Sequence, residues 1–297
     1  MKPPVSILII TYNSSQTLEE TLESARQQTY DGPIELIVSD DGSTDPTVDI
    51  CKRWFEQNGA RFVSCKVIES KENTGVSANC NRAILNASGE WAKLIAGDDL
   101  MMPDCIADNI RFVSENKEAL FVFSKMRVFS VEDGKKAFHD DMPQDNQTGF
   151  FKKTAEEQHA LLYKENPIPA PTLFCHLDTL KHNLYQEQYR YCEDAPQWFY
   201  LTGKGYPLTF HPAITVQYRK ADSLSHATSV FYNARFMETR KLFFYNEMAA
   251  YLQINDVEEY NRQQKKYFMS DFAIHILNNK PNLFTRLLFK LVSMLYK

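Results

Sequence analysis

Trp91-Ala92-Lys93-Leu94-Ile95-Ala96-Gly97-Asp98-Asp99-Leu100 is the stretch that decides the fold. A short apolar run stops abruptly at two adjacent carboxylates. Apolar runs of this length, bounded by turn residues, suit buried strands. In open α/β sheets, ligands bind beyond the carboxyl ends of such strands. Two acids there face a crevice where hard cations and phosphates meet. Taken alone, the pair is equally a solvated turn. A second acidic strand end, Ser39-Asp40-Asp41, and a later acidic pair, Glu193-Asp194, tip the balance toward a ligand site.

Working outward, strand and helix alternate through the first hundred residues. Val5 to Ile10 is β-branched and apolar, and ends in the polar turn Thr11-Tyr12-Asn13. Leu18, Leu22 and Ala25 recur at helical spacing. Ile34 to Val38 is a second strand, with Asp45-Pro46 as a helix start after it. Phe62 to Ile68 is a third strand. Asn73-Thr74-Gly75 leads into a helix through Ile84, and Trp91 to Ile95 is the fourth strand. Such alternation predicts a parallel sheet, with the turns at 11–13, 39–41 and 97–99 along one edge.

Later the pattern changes. A helix follows Pro103, and Ala119 to Val128 is a strand. Residues 132–149 are polar and predict a long loop. Thr154 to Tyr163 is helical, and the prolines at 169 and 171 predict an extended segment. A helix opens at Glu193-Asp194 and ends at Gly203. Leu208 to Tyr218 predicts two short strands broken at Pro212. From Ser229 onward the chain is predicted helical. The domains expected are residues 1–228, divided at 102/103 into two halves, and a helical extension over 229–297.

Composition excludes several classes. The 297 residues are 43% hydrophobic and 24% charged, enough for a sizeable core. A net charge of -5 without a basic block argues against nucleic acid as a partner. Six scattered cysteines make no zinc spacing and suit a reduced, cytoplasmic protein. Met1-Lys2-Pro3-Pro4 does not begin a signal peptide. No run of about 18 apolar residues predicts a membrane span.

The strand-end residues, with their order and spacing, resemble inverting nucleotide-sugar glycosyltransferases of family 2, which have the GT-A fold. The matching pieces are Val5 to Asn13, Ser39 to Asp45, Asn73-Thr74-Gly75, Gly97-Asp98-Asp99, Glu193-Asp194 and Tyr218-Arg219. The resemblance implies an α/β Rossmann-like sheet flanked by helices. It also implies transfer of a sugar from a nucleoside diphosphate, UDP above all, to a saccharide or lipid-linked acceptor. Cell-surface polysaccharide or glycolipid synthesis at the inner face of a membrane is the implied setting. The first half, 1–102, would hold the donor and the second, 103–228, the acceptor. Thr11, Tyr12, Asn13, Asp40 and Asp41 would hold the nucleoside, with Lys71, Asn73 and Asn79 as further polar contacts. Asp98 would face the ribose, and Asp99 a Mn²⁺ or Mg²⁺ ion. His226 would be a late metal ligand and Arg219 a phosphate contact. Asp194 would be the general base, beside Glu193.

Two departures stand out. Ala96 replaces the usual first acid of the metal motif, and Cys80 stands where an arginine is common. Both favour a second possibility, a sugar-nucleotide binding module without catalysis. A phosphoacceptor receiver domain is a third, but receivers are far shorter. Finally, Phe284, Leu287, Leu288, Leu291 and Leu295 share one helical face. Arg286, Lys290, Ser293 and Lys297 share another. A basic amphipathic helix of this kind either lies on a membrane surface or docks on a core. Oligomeric state is not legible.

Overall fold

The computed structural model describes residues 2–220 and 230–295. Two compact units form, Met1–Lys220 and Ala221–Lys297. The expected boundary at 228/229 falls where the chain is not described.

In the first unit, β1 (Val5–Thr11), α1 (Leu18–Arg26), β2 (Ile34–Asp40), α2 (Thr47–Asn58), β3 (Ser64–Glu69), α3 (Val76–Asn86) and β4 (Trp91–Ala96) alternate as predicted. Their strands run parallel in the spatial order β3-β2-β1-β4. Ile7, Leu8 and Ile9 are fully buried, as a central strand covered on both faces requires. Helices α1 and α2 pack together over this sheet.

Beyond β4 the sheet becomes mixed. A short β5 (Leu100–Met101) and α4 (Cys105–Glu115) lead to β6 (Phe121–Glu132) and β7 (Lys135–Met142). After these come α5 (Ala155–Leu162), β8 (Phe174–His176), α6 (Leu177–Lys181), α7 (Asp194–Gly203) and β9 (Leu208–Arg219). The nine-stranded sheet continues from β4 through β8, β6 and β9 to β5. This is the mixed α/β architecture of the GT-A fold, with helices at the carboxyl end of the chain.

Two sequence expectations fail. Residues 132–149 are not one long loop, because β7 folds back on β6 with Glu132 opposite Lys135. The two-residue turn is Asp133-Gly134, both at positive φ (49° and 73°), a strong hairpin signal that polarity alone obscures. Nor does Pro212 break β9. It sits where the pairing with β6 slips, between Ser124 opposite His211 and Lys125 opposite Ile214. Proline needs no ladder hydrogen bond at such an irregularity.

One buried acid pins the start of the sheet. Glu35, 3% exposed, accepts hydrogen bonds from the Ser6 hydroxyl, the Ser88 backbone N–H and hydroxyl, and the Gly89 N–H. Burial pushes its pKa up, but these hydrogen bonds outweigh burial and hold it below the ordinary value of 4.5.

The second unit is helical: α8 (Ala234–Phe243), a π-turn, α9 (Ala249–Asn255), α10 (Val257–Asp271) and α11 (Leu283–Leu295). Phe244 is its central aromatic, 5.2 Å from Tyr267. No helix among the described residues is long and apolar enough to cross a membrane.

Glu35→Ala is expected to cost about 3 kcal/mol at neutral pH, since several buried donors lose their acceptor. A depressed native pKa contributes stability that is present above 4.5 and lost as the pH falls through the native value. The gap between wild type and variant should therefore narrow in acid. Urea unfolding at neutral and acidic pH measures it, and a gap that widens in acid would refute this account.

Candidate functional site

Strands β2, β1 and β4 are adjacent and parallel, so their carboxyl ends meet at one edge. Thr11 of β1 is in register with Asp40 of β2, and Ile10 with Ala96 of β4. Backbone N–H groups at that edge have no ladder partner and need acceptors.

The acids there supply them. Asp40, 1% exposed, accepts from the Thr11 hydroxyl (2.9 Å), the Ser43 hydroxyl (2.6 Å) and the Ser43 N–H (2.8 Å). Asp41, 2% exposed, accepts from the Thr74 hydroxyl (2.6 Å), the Thr74 N–H (3.0 Å) and the Gly75 N–H (2.8 Å), with Arg82 at 3.4 Å. Asp45 accepts from the N–H groups of Ser15 (3.0 Å) and Thr47 (3.1 Å). Burial raises its pKa, but the hydrogen bonds of Ser15 and Thr47 prevail and bring it down to about 2. Gly42 (φ 75°) and Gly75 (φ 99°) give these turns their shape. A Cβ at Gly75 would lie 2.8 Å from the Arg190 carbonyl, and one at Gly42 would lie 2.7 Å from the Glu72 backbone.

The remaining nucleoside candidates divide into outward and inward groups. Tyr12 is 46% exposed at the edge. Asn13, at φ 51°, accepts from the Thr44 N–H through its side-chain oxygen (2.9 Å). Lys71 is exposed. Asn73 carries a buried side-chain oxygen with no hydrogen-bond partner. Asn79 is turned inward, donating to the Thr11 carbonyl (3.1 Å) and accepting from the Ser39 hydroxyl (2.6 Å) and Arg82 (2.8 Å). Its amide braces the strand ends, where the sequence suggested a ligand contact or an exposed helix position.

Asp98 and Asp99 differ sharply. Asp99 is 1% exposed, and its carboxylate accepts the Arg219 backbone N–H at 2.8 Å. Burial, then the charge of Asp98, pushes its pKa well above the ordinary range. Asp98 is only partly buried, and burial raises its pKa against the pull of Arg219. Arg219 itself is 8% exposed. Its Nε donates to the Asp98 carbonyl (2.8 Å), one terminal nitrogen donates to Glu20 (3.1 Å), and its guanidinium covers the Phe129 ring at 4.8 Å. That guanidinium is a clamp on the β4 turn, where a phosphate contact was expected. His226 lies outside the described residues. Among the described residues, no cluster of three or more His, Cys, Asp or Glu side chains is arranged to hold a metal ion.

The acceptor-side acids reach this edge through α3. The Arg190 carbonyl accepts the Val76 N–H (2.8 Å), and the Arg190 side chain donates to the carbonyls of Asn73 (2.8 Å) and Thr74 (3.0 Å). The Ser77 hydroxyl donates to the Tyr189 carbonyl (2.7 Å), and Asn81 exchanges two hydrogen bonds with Tyr185 (both 2.9 Å). This seam delivers Glu193 and Asp194 to the start of α7. Cys80 lies between the two halves. Burial, then the charges of Glu193 and Asp41, holds its thiol well above the ordinary value. Asp194 accepts from the Asn166 amide (3.4 Å) and the Cys192 thiol (3.6 Å). Burial, then the charge of Asp194, pushes Glu193 up to about 7.

Sequence reasoning missed Arg82, Asn81 and Arg190 as parts of the site, and had Asp45 only as a helix start, where it does accept the Thr47 N–H. It also missed Lys93, fully buried within the opening stretch. Its ammonium donates to the carbonyls of Leu94 (2.7 Å) and Pro171 (2.6 Å), and burial lowers its pKa to about 8. The motif spacing does place Asn81 and Arg82 beside Cys80, and that was the available signal.

The chain matches the glycosyl transferase family 2 model over residues 6–172. EpsE of Bacillus subtilis is 33% identical over 127 residues, 43% of this chain and 44% of that protein. The chain spans less than half the length of the first curated relatives it matches. Residues 1–349 of S. aureus TarS, crystallised with UDP-GlcNAc, align with a TM-score of 0.59 at 22% identity, covering 92% of this chain and 73% of that one. The mannosyltransferase PcManGT of Pyrobaculum calidifontis, solved with GDP-Man and Mn²⁺, aligns with a TM-score of 0.53 at 17% identity, covering 95% and 66%.

The raised pKa of Glu193 makes a stability test. A native pKa raised from 4.5 to about 7 contributes stability that is present below 4.5 and lost as the pH rises through about 7. Wild type should lose unfolding free energy across that window, and Glu193→Gln should lose less. Denaturant titrations across the window measure it. Equal losses in both proteins would mean that Glu193 is not the titrating group.

Proposed function

The chain belongs to glycosyl transferase family 2, and from that premise we propose that it transfers a sugar from a nucleoside-diphosphate donor, UDP above all, to a saccharide or lipid-linked acceptor with inversion. The observation that carries this reading is the adjacency of β2, β1 and β4, which gathers the Asp40-Asp41 and Asp98-Asp99 turns at one edge. The seam from α3 to Arg190 supports the second half, since it ties Glu193-Asp194 to the same turns.

Division of labour follows from which groups are spent. Asp40 and Asp41 shape the nucleoside turn, while Tyr12, Lys71, the side-chain nitrogen of Asn13 and the unpartnered oxygen of Asn73 remain for the donor. Tyr12 suits stacking on a base. The deeper burial of Asp99 and its hydrogen bond from the Arg219 N–H favour moving the divalent ion from Asp99 to Asp98, with Asp99 anchoring Arg219. One partly exposed carboxylate fits an ion that takes its other ligands from water and the diphosphate. When bound, that Mn²⁺ or Mg²⁺ neutralises the departing diphosphate.

Asp194 takes the proton from the acceptor hydroxyl as its oxygen attacks the anomeric carbon. The bond from that carbon to the diphosphate oxygen breaks, and the electron pair leaves with the nucleotide. A single displacement inverts the centre and needs no enzyme nucleophile. A hexosyl or N-acetylhexosaminyl group and a cell-surface polysaccharide or glycolipid product fit this chemistry. Exposed Ala96, where the resemblance calls for an acid, favours a second reading, a binding module without turnover. Donor hydrolysis in the presence of Mn²⁺ separates the two.

Asp194→Asn should cut transfer by about 10²–10⁴-fold and leave donor binding nearly intact. Glu193→Gln should be milder, and the reverse order would make Glu193 the base. NMR of the product should give an inverted anomeric configuration, and retention would refute the displacement. Asp98→Asn should abolish the Mn²⁺-dependent part of thermal stabilisation by a panel of nucleotide sugars. Asp99→Asn should instead lower the melting temperature without donor. Metal dependence surviving in Asp98→Asn would return the ion to Asp99.

A further inference from the structure

Helix α11 exposes its apolar side. Leu283, Phe284, Leu287, Leu291, Met294 and Leu295 are 88, 72, 68, 53, 69 and 72% exposed. At about 100° per residue these six fall within one arc of roughly 120°. Arg286 and Lys290 border that arc on one side, and both are exposed. Lys297, expected on the same border, lies outside the described residues.

The opposite side of the helix is already engaged. Thr285 is buried, and its hydroxyl donates to the Lys280 carbonyl (2.7 Å). Its N–H donates to the Asn282 side chain (2.9 Å), and the Asn282 N–H donates back to the Thr285 hydroxyl (2.8 Å), which fixes the helix start. Phe289 stacks on Phe231 at 5.2 Å. The helix is therefore docked through Phe289, with Thr285 buried at its capped start, and the leucine arc is not its core face. A helix covered on one side only normally turns polar residues outward; this one turns out six large apolar side chains.

We propose that the exposed arc of α11 seats in an anionic bilayer surface, with its apolar side chains in the acyl boundary and Arg286 and Lys290 among the headgroup phosphates. An apolar arc edged by cations is the pattern that fits an interface of oil and anion. The helix lies on the surface and does not cross it, since no described helix is long and apolar enough to span. The chain as a whole has a net charge of -5, so an anionic surface repels it on average. Helix α11 carries no acidic residue, so its Arg286 and Lys290 supply attraction that the chain's average charge does not. The inference stands apart from the transfer reaction, because vesicle binding is read without donor or acceptor.

The full chain should cosediment with vesicles of phosphatidylglycerol and phosphatidylethanolamine, more weakly with phosphatidylcholine alone, and less as salt is added. Leu287→Asp with Leu291→Asp should weaken binding by roughly tenfold or more. Both side chains are exposed, so the melting temperature should hold. Arg286→Glu with Lys290→Glu keeps the apolar arc and should lose the preference for phosphatidylglycerol; this pair decides if the aspartate variant unfolds. Failure of the unaltered chain to bind, or binding by both double variants as strong as that of the unaltered chain, would overturn the proposal. So would a wild-type dimer in solution that the aspartate variant dissolves, because the arc would then close on a second copy.

Discussion

Backbone donors at the carboxyl edge of the parallel strands are the constraint from which the site grows. Each strand there hands over to a turn, and the turn's N–H groups have no ladder to join. Buried carboxylates answer this need at Asp40, Asp41, Asp45 and Asp99. Each accepts at least one backbone N–H, so the motif acids build the crevice before they can serve any ligand. An acid whose lone pairs are taken by the protein is a poor metal ligand. The carboxylates of Asp98 and Asp194 accept no backbone N–H from another residue among the described hydrogen bonds, and chemistry is proposed for them.

The same hydrogen bonds join the two halves of the first unit. Asp41 holds the residues before α3, and α3 holds the segment 185–190 through Ser77 and Asn81. Arg190 then grips the Asn73-Thr74 carbonyls from the far side. The Asp40-Asp41 turn and the start of α7, for which donor and base roles are proposed, are thus joined by one set of hydrogen bonds. A shift of the donor turn would be felt at Glu193-Asp194, which suits a reaction needing both partners in line.

Much of this was legible in the sequence. The alternation to β4 follows from apolar runs and turn residues, and the strand-end acids from their adjacency. What was not legible has physical causes. The β6–β7 hairpin rests on Asp133-Gly134 at positive φ, a signal swamped by the polarity around it. Pro212 reads as a breaker unless the slip in register at Lys125 is known. Asn79 and Arg219 have side chains long or polar enough to reach either ligand or backbone, and spacing does not say which. Their burial does. Asp99 is the same case: an acid beside an acid gives no hint which one faces inward.

The substitution at position 80 bears on the acid pair. Where the family commonly has arginine, this chain has a buried thiol that feels both Glu193 and Asp41. A guanidinium there would favour the charged form of Glu193. With cysteine instead, burial and the neighbouring Asp194 prevail, and the Glu193 carboxyl holds its proton up to about 7. Two adjacent carboxylates do not both ionise readily when partly desolvated. Keeping the proton on Glu193 relieves that repulsion and lets one member of the pair donate a hydrogen bond while the other accepts. Cys80 is then no simple loss of a contact. It leaves the charge of the acid pair to the proton on Glu193, held there by burial and by the neighbouring Asp194.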